Sequence, residues 1–146
     1  MKVKLEECPG LEELEVFIRY GRMTEKVKYI ERVVRSAGKE VKCRKGNQSV
    51  WISASDIYYM ESVDKKTFVY GKTEIYRSEQ RLYQLEEELE EEGFVRVSKF
   101  CIVNLNMLES ICSLRNSRME ATLKNGERVN VTRKYLTEIR KHLEER

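Results

Sequence analysis

From residue 41 onward, short runs of β-branched and aromatic side chains alternate with polar ones and are cut at close intervals by turn residues. Residues 41–44, 50–53, 57–61, 67–70 and 74–76 are such runs, separated by Lys45-Gly46-Asn47, Asp64-Lys65-Lys66 and Gly71-Lys72. Period-two alternation broken at this spacing predicts a meandering antiparallel sheet or barrel. A helical stripe then interrupts it: Leu82, Leu85 and Leu89 recur at helical spacing, Ser78 is placed to cap the helix and Gly93 to end it. The β pattern resumes at 94–97, 108–114, 119–123 and 128–131, with Asn125-Gly126 as a hairpin signal, because both residue types tolerate positive φ. Thr132 precedes a last helix in which Leu136, Ile139 and Leu143 recur at spacings of three and four; His142 sits there among charged residues and reads as a surface residue.

The first forty residues read as a β-β-α extension. Val3 and Leu5 alternate with lysines, Pro9-Gly10 marks a turn, and Leu14, Val16 and Ile18 alternate with Glu15, Phe17 and Arg19. Thr24 is the expected N-cap of a helix whose face is Val27, Ile30, Val33, Val34 and Ala37, with Gly38 at its stop. A unit this small cannot close a core, so it must pack on the rest of the chain or on another copy. The expected organisation is therefore residues 1–40 as an extension, a candidate dimerisation element, and 41–146 as the main domain, divided at Gly38-Lys39-Glu40.

Composition narrows the class. Charged residues make up 36% of the 146 and aromatics 9%, a globular balance. No run approaches the roughly 18 apolar residues of a membrane span and no signal peptide opens the chain, so a soluble, cytoplasmic protein is expected. Cys8, Cys43, Cys101 and Cys112 are scattered and His142 is the sole histidine, which indicates neither a disulfide framework nor a zinc set; the cysteines read as reduced, packed thiols. A Gly-rich phosphate loop, H-E-x-x-H and G-x-S-x-G are all missing, and Asp56, Glu61 and Asp64 read as turn formers or solubilising charges, so neither enzymatic activity nor a cofactor is expected.

Charge, small in sum at +3, is uneven along the chain. Residues 78–92 hold seven glutamates against one arginine, while residues 93–146 hold eleven cations against six glutamates and residues 41–77 seven cations against four acids. A basic face opposed by one acidic helix suits phosphate attraction, which is local. Two stretches sharpen this. In Phe94-Val95-Arg96-Val97-Ser98-Lys99-Phe100-Cys101-Ile102-Val103-Asn104-Leu105 a strand breaks at Ser98-Lys99 and re-enters an apolar run. In Val129-Asn130-Val131-Thr132-Arg133-Lys134-Tyr135 a strand ends and a helix starts with two cations in its first turn, against the helix dipole. An external anion explains that choice, and phosphate is the natural one.

These stretches, with I-Y-Y-M-E-S, the acidic helix, the N-G hairpin and V-x-V-T-R-K-Y, make the chain resemble the LytTR family of bacterial DNA-binding domains over residues 41–146. The resemblance implies a mainly β, α+β fold of about ten short strands in an elongated β–β–β arrangement with peripheral helices, whose loops enter successive major grooves of double-stranded DNA. It implies base reading by Lys65 or Lys66, by Lys99 and by Arg133, through guanine O6 and N7. Ser98, Lys134, Asn116 and Arg118 fall to phosphates. The chain departs from the family pattern at Phe100, where a small serine is usual, and at Ser98, where histidine is commoner. Forty residues are too few for a receiver domain, so the expectation is a stand-alone transcription regulator, a homodimer on repeated half-sites, controlled by a membrane protein partner. The alternative is a protein-interaction module that sequesters another regulator through its acidic helix and extension, without binding DNA. RNA stacking by Tyr58, Tyr59, Phe68 and Tyr70 is less economical than packing.

Overall fold

Alternating side chains give ten strands, and the computed structural model describes their arrangement over residues 1–115 and 118–144. In chain order these are β1 (Glu40–Lys45), β2 (Gln48–Ser53), β3 (Tyr59–Val63), β4 (Lys66–Tyr70), β5 (Ile75–Ser78), β6 (Phe94–Ser98), β7 (Cys101–Asn104), β8 (Leu108–Ser113), β9 (Met119–Leu123) and β10 (Arg128–Val131). Three helices accompany them: α1 (Glu25–Ala37), α2 (Leu82–Glu88) and α3 (Arg133–Glu144). Seven strands form one antiparallel sheet in the order β2-β1-β5-β4-β3-β7-β6, and three form a second, β10-β9-β8. The fold is the expected mainly β one with peripheral helices.

Period two sorts the side chains into two cores. Val41, Cys43, Met60, Val69, Phe94 and Ile102 project from one face of the large sheet onto Leu82 and Leu85 of α2 and Leu89 just after it. Val95, Val97, Cys101 and Val103 project from the other face onto Leu108, Ala121, Leu123 and Val131 of the small sheet and Ile139 of α3. Because β7 lies inside the sheet with cores on both sides, all four of its residues are buried. That is why its sequence runs apolar without alternating. Asn104, the polar exception, is wholly buried; its amide donates to the Ile57 carbonyl at 2.8 Å and to that of Ala54 at 3.4 Å, and its Oδ1 accepts from Asn106 N–H at 3.0 Å.

Several local expectations need correction. Neither strand of the β-β-α extension forms. The Pro9-Gly10 turn is made, with Leu11 N–H donating to the Cys8 carbonyl at 3.1 Å and Gly10 at φ 96°, yet the flanking segments find no ladder partner in their own chain. In α1 the N-cap holds, Thr24 Oγ1 accepting from Val27 N–H at 3.3 Å, but Gly38 closes the helix at a right-handed φ of −89°. The buried face of α1 is Arg32 and Ser36 rather than the valine and isoleucine stripe, with Val33 and Ala37 exposed and Val27, Ile30 and Val34 half-buried. The surface it meets is acidic: Arg35 pairs with Glu91 at 3.9 Å and Lys39 with Glu88 at 3.6 Å. Ser78 ends β5 and turns the chain, accepting from Gln80 N–H, so α2 begins only at Leu82. Gly93 ends the helical segment as expected, at φ 94°. Of the cysteines, all free, Cys43 and Cys101 are packed but Cys8 and Cys112 are exposed. The side chains of His142 and Leu143 lie outside the described residues.

Candidate nucleic-acid interface

Three chain reversals meet at one end of the two sheets. The first joins β3 to β4. Val63 pairs with Lys66, leaving the two-residue loop Asp64-Lys65, and both loop residues are left-handed at φ 51° and 65°. Two positive φ values are the mark of a type I′ turn, which matches the strand twist. Asp adopts that conformation readily and Lys does not, so Lys65 is held there by the hairpin. Lys66 opens β4, and both lysines are exposed.

The second reversal joins β6 to β7 through Lys99-Phe100, flanked by the pair Ser98 and Cys101. Ser98 Oγ accepts from Phe100 N–H at 3.3 Å. Arg96, whose Nε donates to Glu86 of α2 at 2.5 Å, donates from Nη1 to the Lys99 carbonyl at 2.7 Å, fixing the turn to the acidic helix. Ser62 N–H donates to the Phe100 carbonyl at 2.8 Å, which ties the two reversals together.

The third is the junction of β10 and α3. Thr132 donates twice to the Val97 carbonyl, from its N–H at 2.8 Å and from Oγ1 at 3.3 Å. The start of α3 is thereby moored to β6, and Arg133 and Lys134 stand exposed beside Ser98-Lys99. Lys134 Nζ lies 5.6 Å from the Tyr135 ring centre, and Lys99 Nζ 5.5 Å from that of Phe100. Across the small sheet Met119 pairs with Val131, which sets the exposed Arg118 opposite Thr132. Lys65, Lys66, Lys99, Arg133, Lys134 and Arg118 thus share one end of the molecule. With strands about 5 Å apart, the array is about 20 Å wide, enough to cross a major groove of about 12 Å and reach its phosphate walls. Asn116 lies outside the described residues.

The surroundings suit a polyanion. Of the acids nearest this end, Glu86 is paired by Arg96 and Asp64 stands exposed beside Lys65, while the Glu90–Glu92 turn leads into the far end of β6, about 13 Å along the strand from Lys99. Apolar groups interleave with the cations: Phe100 is 57% exposed, Val63 44% and Leu114 40%. Such groups can meet thymine methyls. Sequence reasoning missed Val63, Leu114 and the exposed Arg115 here, and also missed Arg96; a cation on the α2 side of β6 was the one available signal for the last. Behind the first reversal Tyr59 and Tyr70 stack at 4.2 Å, and the Tyr70 hydroxyl donates to Glu61. Burial first, then the nearby Glu127 and Glu61, pushes the Tyr59 hydroxyl up to about 12, and burial with Glu61 raises that of Tyr70. Both rings are engaged with each other, which leaves packing as their role. Among the described residues no cluster of His, Cys, Asp and Glu is arranged to hold a metal ion.

Comparison with known proteins bears on the family and the fold. The model of the LytTr DNA-binding domain matches residues 47–144. The sensory transduction protein LytT of Bacillus cereus is 34% identical over 94 residues, which is 64% of this chain and 38% of that protein. A Staphylococcus aureus protein described as an uncharacterized HTH-type transcriptional regulator is 28% identical over 92 residues, 63% of this chain and 62% of the relative. The matched region is thus under two thirds of either relative's length. Among solved structures, a LytTr DNA-binding domain from Bacillus cereus superposes with a TM-score of 0.67 at 29% identity, covering 71% of this chain and 95% of that one.

Proposed function

Because the chain belongs to the LytTR family of DNA-binding domains, we propose that it is a sequence-specific transcription regulator that reads successive major grooves with the three reversals. In this reading Lys65 or Lys66, Lys99 and Arg133 donate to base edges, while Ser98, Lys134, Arg118 and Asn116 hold phosphates. The observation that carries it is the convergence of three separately encoded turns, each with an exposed cation, joined by the Ser62–Phe100 and Thr132–Val97 hydrogen bonds. Direct donors on a surface held this firmly suit base reading, since phosphate attraction alone needs no such fixation.

Residues 41–146 are the DNA-binding domain in this proposal, and residues 1–40 join two copies on repeated half-sites. Exposed apolar side chains along the first 24 residues favour that role. Control through a membrane protein partner rests on the family resemblance alone. The sequestering alternative is less favoured, because Arg35, Lys39 and Arg96 of the same chain already engage the acidic helix and the turn after it.

Selection from a random duplex pool, followed by titration at fixed physiological salt, tests the reading. Lys99→Ala and Arg133→Ala are each expected to lose about 1–3 kcal/mol of specific binding. Wild-type affinity in both variants would remove the assignment.

A further inference from the structure

The segment before α1 has a strand's sequence and no strand's partner. Leu14, Val16, Ile18 and Tyr20 would lie on one face of an extended run, and Glu13, Glu15, Phe17 and Arg19 on the other. Val, Ile, Phe and Tyr are the residues that favour sheet. Yet the run stands in solvent: Leu14 is 89% exposed, Phe17 83%, Val16 55% and Tyr20 53%.

A second feature is the unguarded edge of the large sheet. Sheet edges are normally blunted by charge, proline, a bulge or a covering element. The β6 edge is covered by Thr132 and α3. In the small sheet, β8 carries a bulge between Leu108 and Ser110 and an exposed Glu109. The terminal strand β2, Gln48-Ser49-Val50-Trp51-Ile52-Ser53, has none of these; it contains no charge and no proline and pairs with β1 in six unbroken steps. Its Trp51 is 59% exposed, under Lys42 at 5.8 Å.

We propose that the 13–20 run of one copy adds as a strand to the β2 edge of a second copy, so that two copies exchange arms. This deepens, and rests on, the reading of the first forty residues as the dimerising element. Strand addition satisfies the backbone groups of donor and acceptor together. Leu14, Val16 and Ile18 extend the apolar side formed by Val50 and Ile52, and Phe17 comes beside Trp51. The charges agree in part: the 13–20 run carries Glu13 and Glu15 against Arg19, and on β1, next to the acceptor strand, Arg44 and Lys45 already pair with Glu79 and Glu74, which leaves Lys42, above Trp51, to meet the incoming acids. The exchange is reciprocal, so it closes at two copies.

Trp51 is the only tryptophan of the chain, so its emission reports on the acceptor edge. The experiment follows the 146-residue chain without DNA by sedimentation and by fluorescence over a dilution series. The expected result is a monomer–dimer equilibrium whose midpoint coincides with a shift of Trp51 emission to shorter wavelength. Val16→Pro, in an exposed arm that contributes nothing to the core, is expected to weaken dimerisation by more than about tenfold and abolish the shift. Trp51→Lys, a charge on the bare edge, should weaken the dimer in sedimentation while leaving thermal unfolding of the domain in place.

Four outcomes overturn the proposal: a dimer that survives Val16→Pro, a dimer in which Trp51 stays solvent-exposed, a blue-shifted emission independent of concentration, or a chain that is monomeric throughout. The last also removes the dimeric reading, whereas the first two leave it standing with a different contact. Titration of a single half-site with the Val16→Pro chain checks DNA recognition separately.

Discussion

Asn104 is the buried polar residue on which the centre of the molecule depends. Its amide holds the Ile57 and Ala54 carbonyls and its oxygen holds Asn106 N–H, so one side chain closes the loop before β3 and the turn after β7. Asn104→Ala takes the side-chain partner from the buried Ile57 carbonyl and from Asn106 N–H, while the Ala54 carbonyl keeps the Ile57 N–H at 3.2 Å, and is expected to lose about 2–4 kcal/mol in urea unfolding. Glu92 behaves in the opposite sense. Burial holds its carboxyl above the ordinary 4.5, with Lys39 and Arg35 opposing more weakly. The folded state therefore disfavours the charged form, and stability is lower above the folded value and recovered as pH falls toward the unfolded one. Glu92→Gln should raise stability at pH 7 by a few tenths of a kcal/mol, a gain that fades below about pH 4, read from unfolding midpoints across pH.

Hairpins show where stability and function part. Lys65 holds a left-handed φ of 65°, a conformation that disfavours most side chains by about 1–2 kcal/mol. Lys65→Gly should leave the domain as stable or up to about 1 kcal/mol more stable while weakening specific DNA binding; calorimetry and a binding titration on the same variant separate the two. At Gly93, φ 94° and an Asn106 amide 3.3 Å from where a Cβ would stand make Gly93→Ala destabilising by about 1–2 kcal/mol. Elements of this kind were legible in the sequence because their signals are local. Strands β9 and β10 begin and end where the alternation does, and the cations of all three reversals were found from turn residues and the LytTR resemblance. What was not legible depends on distant partners. A strand needs a neighbour, which residues 2–5 and 14–18 lack within the chain, and α1 takes its orientation from elements some fifty positions away, where its Arg35 meets Glu91. Arg96 and Asn104 escaped for the same reason, since their roles lie in atoms of other elements.

At the scale of the molecule, Lys65, Lys66, Lys99, Arg118, Arg133 and Lys134 present one cationic front, while Glu86 and Glu88 of α2 and Glu91 just after it pair with Arg96, Lys39 and Arg35. If all six meet phosphate or groove, the log of affinity against the log of salt should fall with a slope of about −5, and Lys134→Ala should lessen it by about 1. A front with fewer contacts would give a shallower line. The double hydrogen bond from Thr132 to the Val97 carbonyl bears on the duplex as much as on the protein. It leaves the helix start no freedom to slide relative to Lys99, so the two act as a gauge of fixed length. A duplex whose groove does not fit that gauge must itself bend or untwist, at a cost set by its own base steps. Base pairs that no side chain touches, lying between the contacted ones, should therefore be selected for flexible pyrimidine–purine steps, and stiff A-tracts there should weaken binding.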